Sequence, residues 1–263
     1  AVFGYTKMVM KLLEDTDADH VAVIFDRARK TFRSDIYPEY KAHRPPPPDE
    51  LIPQFQLVRD ATEALNLPAI DMEGFEADDL IATFARQASA RGIEVTIVSS
   101  DKDLMQLVDD RVTMLDAMKN RVIGHEQVID KFGVGPEKVV DVQALAGDPS
   151  DNVPGVEGIG VKTAAQLINE YGDLDTLLDR AEEIKQPKRR ERLMTQANMA
   201  RISRDLVTLK DDVPVKQSID DFAVKPPDAD VLMSFLQEQG FQSLVISVGA
   251  RLGGDAPAGA SPA

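Results

Sequence analysis

The chain has 263 residues, a formal net charge of −15 at pH 7, three histidines and no cysteine. The absence of cysteine excludes disulfides and thiolate metal sites, and so few histidines disfavour a zinc site, so any metal would be a hard cation held by oxygen. No apolar run reaches membrane-spanning length and the first residues do not resemble a secretory signal, so we expect a cytoplasmic protein.

Strands and helices alternate along the first half of the chain. An N-terminal helix is followed by short apolar runs that predict buried strands at residues 21–25, 67–72, 94–99 and 112–115, with a helix at 51–65 and an edge strand at 121–123. The alternation predicts an α/β fold with a mainly parallel central sheet flanked by helices. The second half is predicted to be helical.

The acidic run Glu76-Ala77-Asp78-Asp79 opens an amphipathic helix. One acidic residue there is explained by the helix dipole. Three carboxylates within four residues are not, because like charges ~4 Å apart repel by about 4 kcal/mol at an effective dielectric of about 20. We therefore predict a divalent metal site at Glu76, Asp78 and Asp79.

Three more carboxylates follow predicted strands. Asp26 comes directly after residues 21–25, and Asp101 and Asp103 come directly after residues 94–99. Ligands of open α/β sheets sit beyond the carboxyl ends of the strands, so we expect these groups to converge with the Glu76 cluster. The alternative for Asp26 is an ordinary turn residue.

Two basic stretches stand out in an otherwise acidic chain. Residues 27–44 are rich in Lys and Arg, with Phe32, Tyr37 and Tyr40 between them, which suits a phosphate backbone and its bases. A second run spans residues 185–192. Taken singly, each run is better interpreted as a solvated face.

Two features of the second half could bind phosphate or metal. Asp148 and Asp151 lie in a loop of turn-forming residues and are weak signals alone. Gly158 and Gly160, with Lys162 and Thr163 behind them, predict a tight hairpin whose backbone can approach a phosphate at a helix start. The alternative is a helix–turn–helix used only for packing.

Together these motifs resemble the 5′ nuclease (flap endonuclease) family, and within it the 5′-3′ exonuclease domains of bacterial DNA polymerase I. The residues that carry the resemblance occur in the family's order: Val23-Ile24-Phe25-Asp26, Phe32-Arg33, Tyr40-Lys41-Ala42-His43-Arg44, Glu76-Ala77-Asp78-Asp79, Asp101-Lys102-Asp103-Leu104, Gly147-Asp148-Pro149-Ser150-Asp151-Asn152 and 155–165. The resemblance implies a PIN-like nuclease core at residues 1–133 with a helical arch at about 27–50. It also implies a helix-hairpin-helix region at 134–250, and the composition of 251–263 predicts a flexible linker.

The resemblance further implies two-metal hydrolysis of phosphodiesters with Mg²⁺ or Mn²⁺. Asp26, Glu76, Asp78 and Asp79 would form the first metal region, and Asp101, Asp103, Asp148 and Asp151 the second. Lys41 and Arg44 would be catalytic. Nucleic acid would be bound by Arg33, Tyr40 (stacked on a base), Lys41, Arg44, Gly158, Gly160, Lys162 and Thr163, with K⁺ at the hairpin. The implied partners are DNA with 5′ flaps, nicks or RNA primers and a covalently linked polymerase domain, in a monomeric protein.

One departure from the family pattern concerns the N-terminus. The family begins with a central strand carrying an Asp-Gly pair, and that segment would precede Ala1. We therefore expect an apolar slot where that strand would pair and weak binding of the first metal.

The same residues leave two alternative functions. The first is a non-catalytic DNA-binding module, although an acidic cluster would hinder the binding of phosphates. A phosphatase-like hydrolase with Asp26 as nucleophile would need a second Asp two residues on, and Ala28 stands there.

Overall fold

The computed structural model describes residues 1–252, with side chains to residue 250, so most of the predicted linker at 251–263 lies outside the described residues. The elements in chain order are α1 (Val2–Asp15), β1 (Val23–Ile24), α2 (Phe32–Ile36), α3 (Ile52–Ala64), β2 (Ala69–Ile70), α4 (Ala77–Ala90), β3 (Val95–Val98), β4 (Val112–Asp116), β5 (Arg121–Ile123), α5 (His125–Phe132), α6 (Val139–Ala146), α7 (Val161–Tyr171), α8 (Leu174–Asp179), α9 (Pro187–Thr195), α10 (Ala197–Val207), α11 (Ala229–Glu238) and α12 (Gln242–Leu252). The predicted α/β class with a helical second half is confirmed. None of the helices in this part of the chain is long and apolar enough to cross a bilayer.

The chain forms two compact units that interleave along the sequence. The first contains residues 1–25, 46–70 and the chain from 216 onward, and the second contains residues 26–45 and 71–215. The predicted division at residue 133 was drawn along the sequence and stays a prediction.

In the first unit, β1 pairs in parallel with β2, with Val23 opposite Ala69 and Ile24 opposite Ile70. Helices α1, α3, α11 and α12 supply its core, which includes Val9, Leu65 and Leu236. Aromatic edges add to this packing, because the Phe3 and Phe241 rings meet edge to face at 5.3 Å.

The second unit has a three-stranded sheet in the order β3-β4-β5. Its β3–β4 pair is parallel and its β4–β5 pair is antiparallel, so the predicted edge strand at 121–123 is confirmed. Alternate residues of β4 are buried, among them Val112 and Met114, which turns one face of the strand to the core.

The predicted single central sheet is therefore two sheets in the described residues. Within that part of the chain β1 pairs only with β2, and β3 pairs only with β4. A strand has hydrogen-bonding groups along both edges, and in the described residues β1 and β3 each pair along one edge only. The apolar slot expected beside a strand preceding Ala1 stays a prediction.

Helix packing in the second unit positions the loops of the site. α6 contacts both α7 and α10, with Val142, Leu145 and Ile168 fully buried. This packing fixes the two ends of residues 147–160, the connection that carries Asp148, Asp151 and the glycine hairpin. Of the predicted arch, only Phe32–Ile36 is α-helical, and turns follow at 38–43.

Candidate active site

Four segments of the second unit meet around one small cavity. Its lining includes Glu76 and Asp78 from the start of α4, Asp103 from the turn after β3, and Asp151 from the α6–α7 connection. Arg33 and Tyr40, from α2 and the turns after it, complete its polar lining. Carboxylates more than 70 residues apart in sequence therefore share one site.

Glu76 and Asp151 are joined by cationic and phenolic groups. The Lys41 ammonium lies 2.8 Å from Glu76 Oε2 and 3.4 Å from Asp151 Oδ2. The Tyr40 hydroxyl lies 3.2 Å and 3.3 Å from the same two oxygens. Arg44 pairs with the other oxygen of Asp151 through its guanidinium. In this structure the predicted catalytic cations therefore neutralise predicted metal ligands.

The second group of carboxylates surrounds the start of a 3₁₀ helix at Lys102–Leu107. Asp101 Oδ1 accepts a hydrogen bond from the Asp103 amide at 3.0 Å, which caps this helix. Lys102 lies 2.7 Å from Asp148 Oδ2. Burial alone would raise the pKa of Asp148, but Lys102 and Ser150 hold it below its ordinary value.

The pKa values of Asp78 and Asp103 show that the two groups of carboxylates interact electrostatically. Burial, followed by the charges of Asp101, Asp26 and Glu76, raises the pKa of Asp78 to about 7. Burial and the charge of Asp101 raise the pKa of Asp103 to about 6. Shifts in this direction arise where carboxylates are gathered without enough positive charge between them.

Asp26 belongs to the same cluster through α4. Its Oδ1 accepts a hydrogen bond from the Ala77 amide at 2.8 Å, at the start of that helix. Its charge is one of those that raise the pKa of Asp78. The expected convergence of Asp26, the Glu76 cluster and Asp101 is therefore found, and the Asp148–Asp151 loop lies with them.

Asp79 has a different environment from its neighbours and departs from its predicted role as a metal ligand. It is 0 % exposed and forms two 2.7 Å bonds to the Arg33 guanidinium. Its oxygens also accept from the Glu76 and Lys210 amides at 3.0 Å and 2.9 Å. With both oxygens occupied by buried donors, Asp79 is a structural carboxylate.

Arg33 and Tyr40 also depart from the prediction that they contact nucleic acid. Arg33 is 1 % exposed, and besides Asp79 it donates to the carbonyls of Leu206 at 2.7 Å and Thr208 at 3.0 Å. Tyr40 is 7 % exposed, with its ring in a cluster that includes Val153 and Leu206. A buried guanidinium and a buried ring offer no surface for a phosphate or a base.

The glycine hairpin lies before α7, as predicted. Gly158 has φ of +74°, a conformation that glycine adopts without strain. Gly160 is the N-cap of α7, and the first bond of that helix runs from the Ala164 amide to the Gly160 carbonyl. The amides of Val161, Lys162 and Thr163 consequently have no acceptor within the described protein, and they form the electropositive end of the helix.

The donor set of the cavity suits a hard divalent cation, since every candidate ligand is a carboxylate oxygen. In the part of the chain that the structure describes, however, no three acidic or histidine side chains are spaced to hold an ion as they stand. The contacts explain this, because Lys41, Lys102 and Arg44 lie against the carboxylates.

Several residues of the site were not predicted. Gln143, buried in α6, donates its amide to Asp103 Oδ1 at 2.6 Å, while its own Oε1 has no partner in the described structure. The Ser150 hydroxyl donates to Asp148 at 2.6 Å. A polar amide within the apolar run of α6 was the available signal for Gln143, whereas Ser150 looks like any turn residue.

Two family models together match most of the chain. Residues 1–133 match the family described as the 5′-3′ exonuclease N-terminal resolvase-like domain, and residues 134–230 match the 5′-3′ exonuclease C-terminal SAM fold. A 5′-3′ exonuclease of Aquifex aeolicus is 37 % identical over 248 residues, which cover 94 % of this chain and 84 % of that protein.

A DNA polymerase I of Rhizobium leguminosarum is 56 % identical over 265 residues, covering 98 % of this chain. The chain spans only 26 % of the length of that relative. Among solved structures, T5 5′-exonuclease with bound zinc ions has a TM-score of 0.71 at 25 % identity, covering 93 % of this chain and 90 % of the other. The resemblance inferred from the motifs is confirmed, and the chain belongs to the 5′-3′ exonuclease family.

Proposed function

We propose that this chain is a structure-specific 5′ nuclease that hydrolyses DNA phosphodiesters near the 5′ end of a strand by two-metal catalysis. The observation that supports it best is the shared cavity of Glu76, Asp78, Asp103 and Asp151. Burial and the gathered charges raise two carboxyl pKa values, so that ionising these groups is unfavourable without cations. Divalent cations bound there would neutralise the cluster.

The residues that would hold the cations follow from their exposure and contacts. Asp26, Glu76 and Asp78 would contribute to the first site, and Asp101, Asp103, Asp148 and Asp151 to the second. Mg²⁺ or Mn²⁺ bound there would polarise the phosphate and lower the pKa of a water molecule. Asp79 is left out of the set because Arg33 already occupies it.

Lys41 and Arg44 would act on the phosphate once the carboxylates are neutralised by cations. At present both side chains pair with Asp151, and Lys41 pairs also with Glu76. Released from these pairs, an ammonium and a guanidinium at the edge of the cavity would stabilise the negative charge that develops on the cleaved phosphate.

The hairpin would hold the double-stranded part of the substrate. The amides after Gly160 lack internal acceptors, and Lys162 is exposed beside them. A backbone phosphate satisfies both the amides and the ammonium. K⁺ at the carbonyls of the hairpin, around Gly158, remains part of this proposal.

The substrates would be DNA with 5′ flaps, nicks or RNA primers. The relatives named DNA polymerase I support a covalently linked polymerase domain. A role in replication and repair is part of the same proposal. A monomer in the cytoplasm is the predicted state.

The test is cleavage of a 5′-flap substrate in Mg²⁺ and in EDTA. We expect cleavage only with Mg²⁺, and a loss of at least about 10³-fold in Asp148→Ala, because a phosphoryl-transfer site depends on its cations for charge stabilisation. Asp110→Asn, at an exposed aspartate beyond the 3₁₀ helix, is the matched control and should cleave normally.

The alternative is a DNA-binding module without catalysis. The observation that favours it is the pairing of Lys41, Arg44 and Lys102 with the carboxylates, together with the lack of a preformed three-ligand site among residues 1–250. Tight binding of the flap substrate without any Mg²⁺-dependent cleavage would support this alternative.

A further inference from the structure

An open groove of about 520 Å³ lies beside the second group of carboxylates. Three serines, two lysines and one aspartate line it: Ser99, Ser100, Asp101, Lys102, Lys131 and Ser150. Asp101 is a proposed cation ligand, and Lys102 and Ser150 contact the proposed ligand Asp148. Ser99, Ser100 and Lys131 have no role in the proposed cleavage.

Separate elements of the second unit bring these side chains together. Ser99 and Ser100 follow β3, Lys131 is in the last turn of α5, and Ser150 lies in the α6–α7 connection. The Ser99 hydroxyl accepts a hydrogen bond from the Asp101 amide at 3.1 Å, which leaves its own hydrogen available. Ser100 is exposed in the groove.

The two lysines differ in what they contact. Lys102 is paired with Asp148 at 2.7 Å. Lys131 is exposed, and no carboxylate of the described chain lies within ion-pair distance of it. The groove therefore offers one uncommitted ammonium and two hydroxyl donors, which suits an oxyanion.

The position of the groove beside the carboxylates indicates which oxyanion it would bind. It borders Asp101 and Ser150, at the end of the carboxylate cluster formed by Asp101, Asp103 and Asp148, whereas Lys41 and Arg44 contact Glu76 and Asp151. A strand whose phosphate is cleaved in the cavity would extend past both groups of cations. Consecutive phosphates of one strand could then be bound on either side of the reacting one.

We propose that this groove binds one backbone phosphate of the cleaved strand, neighbouring the reacting phosphate, through Lys131, Ser99 and Ser100. The inference rests on the proposed nuclease function. It adds a contact that determines which bond of the strand is placed at the cavity.

The experiment combines protein variants with 5′-flap DNAs that each carry one uncharged methylphosphonate near the cleaved bond. Binding is measured in EDTA, so that no cleavage occurs. We expect Lys131→Ala to bind unmodified DNA about tenfold more weakly, the equivalent of one charge-assisted hydrogen bond. The salt dependence of binding should fall by about 0.7–0.9 in slope, as for one lost phosphate contact.

The decisive result is that the losses of binding free energy from the protein variant and from the methylphosphonate do not add at one phosphate position. At that position the methylphosphonate should weaken DNA binding by the wild type but not by Lys131→Ala. At every other position the two losses of binding free energy should add. Ser100→Ala should show the same position with a smaller loss. Lys138→Ala, a lysine outside the groove, is the control and should be additive at every position.

Two results separate this inference from the proposed function. If the wild type cleaves the flap with Mg²⁺ but Lys131→Ala binds like wild type, or its losses add everywhere, the groove does not bind the strand. A second result would be that inorganic phosphate competes with DNA for the wild type and not for Lys131→Ala, while the losses from variant and methylphosphonate add at every position. The groove would then bind free phosphate, and its assignment to the cleaved strand would be overturned. Absence of Mg²⁺-dependent cleavage in the wild type removes the proposed function itself.

Discussion

Of the two cavity carboxyl groups whose pKa is raised, Asp78 and Asp103, Asp78 shows the larger shift. Its pKa is about 7, against an ordinary value of 3.8, because of burial and the charges of Asp101, Asp26 and Glu76. Between about pH 4 and pH 7 the unfolded chain has lost a proton that the folded chain retains, so this group makes the free energy of unfolding fall as pH rises.

Replacing Asp78 by Asn should therefore stabilise the cation-free protein at pH 8, by up to about 4 kcal/mol at 1.36 kcal/mol per pKa unit. At pH 5 the gain should be smaller. Thermal unfolding in EDTA at the two pH values measures it. Asp175→Asn is the control, and it should lower the free energy of unfolding at pH 8, because Arg204 holds the pKa of Asp175 below its ordinary value. A lower Tm for Asp78→Asn at pH 8 would contradict this account.

Arg33 and Asp79 form a buried ion pair whose loss should be costly. Arg33→Met leaves the Asp79 carboxylate buried without its partner, and we expect a loss of about 3–5 kcal/mol in the free energy of unfolding. The double variant Arg33→Met/Asp79→Leu should recover part of this loss, because no buried charge remains. Urea denaturation in EDTA measures both.

An exposed pair provides the comparison for Arg33. Arg86 and Asp211 lie 3.1 Å apart with side chains 60 % and 52 % exposed. Arg86→Ala should cost less than about 1 kcal/mol, as solvent screens such pairs. The structural role of Arg33 is refuted if its variant is no more costly than that of Arg86.

At the scale of elements, α9 supports the glycine hairpin. Arg192 donates to the carbonyl of Glu157 at 3.1 Å and to its carboxylate at 2.7 Å, and Gln196 accepts from the Glu157 amide at 2.9 Å. A Cβ added at Gly158 would meet the Arg192 guanidinium. The side chains of Arg192 and Gln196 therefore hold the hairpin in place through partly exposed contacts with Glu157.

We expect Arg192→Ala to weaken binding of blunt duplex DNA about tenfold, since ordering a loop of this kind costs on the order of 1–2 kcal/mol per residue. Overall stability should change little, because the Arg192–Glu157 pair is exposed. Hydrogen exchange at residues 157–160 should become faster. Lys188→Ala, on the same helix, should leave that exchange unchanged. Unaltered exchange in Arg192→Ala would show that α9 does not hold the hairpin.

At the scale of the whole molecule, cation binding should be linked to pH and stability. Carboxylates must be ionised to bind a divalent cation, and the Asp78 and Asp103 pKa values are about 7 and about 6. We therefore expect 10 mM Mg²⁺ to raise Tm more at pH 8 than at pH 5.5. A ligand at about 100 times its Kd stabilises by about 2.7 kcal/mol, which sets the scale.

The comparison for this linkage is Asp101→Asn/Asp148→Asn, which removes two carboxylates of the second group. In that variant the gain in Tm on adding Mg²⁺ should shrink at pH 8. An equal gain at both pH values, or in both proteins, would mean that the ion acts elsewhere on this acidic chain.

The sequence by itself determined where most of the elements lie and named the candidate residues of the site. Short apolar runs bounded by turn residues predicted β1 to β4, and residues 121–123 were predicted as an edge strand. The predicted burial holds less well, because Val23 and Ile24 are only half-buried and Thr96 and Val98 of β3 are exposed. Asp26, Glu76, Asp101 and Asp151 could be named because they follow strands or sit in motifs whose order is specific to one family.

Only the tertiary structure decided what each charged residue does. Asp78 and Asp79 are neighbours in sequence, but α4 turns one towards the other carboxylates and the other towards buried Arg33. Arg33 resembles any cation of a basic run until its burial is known. The role of a charged side chain depends on its solvation and on the partners that distant segments bring to it. Neither can be predicted from the neighbouring residues in the sequence.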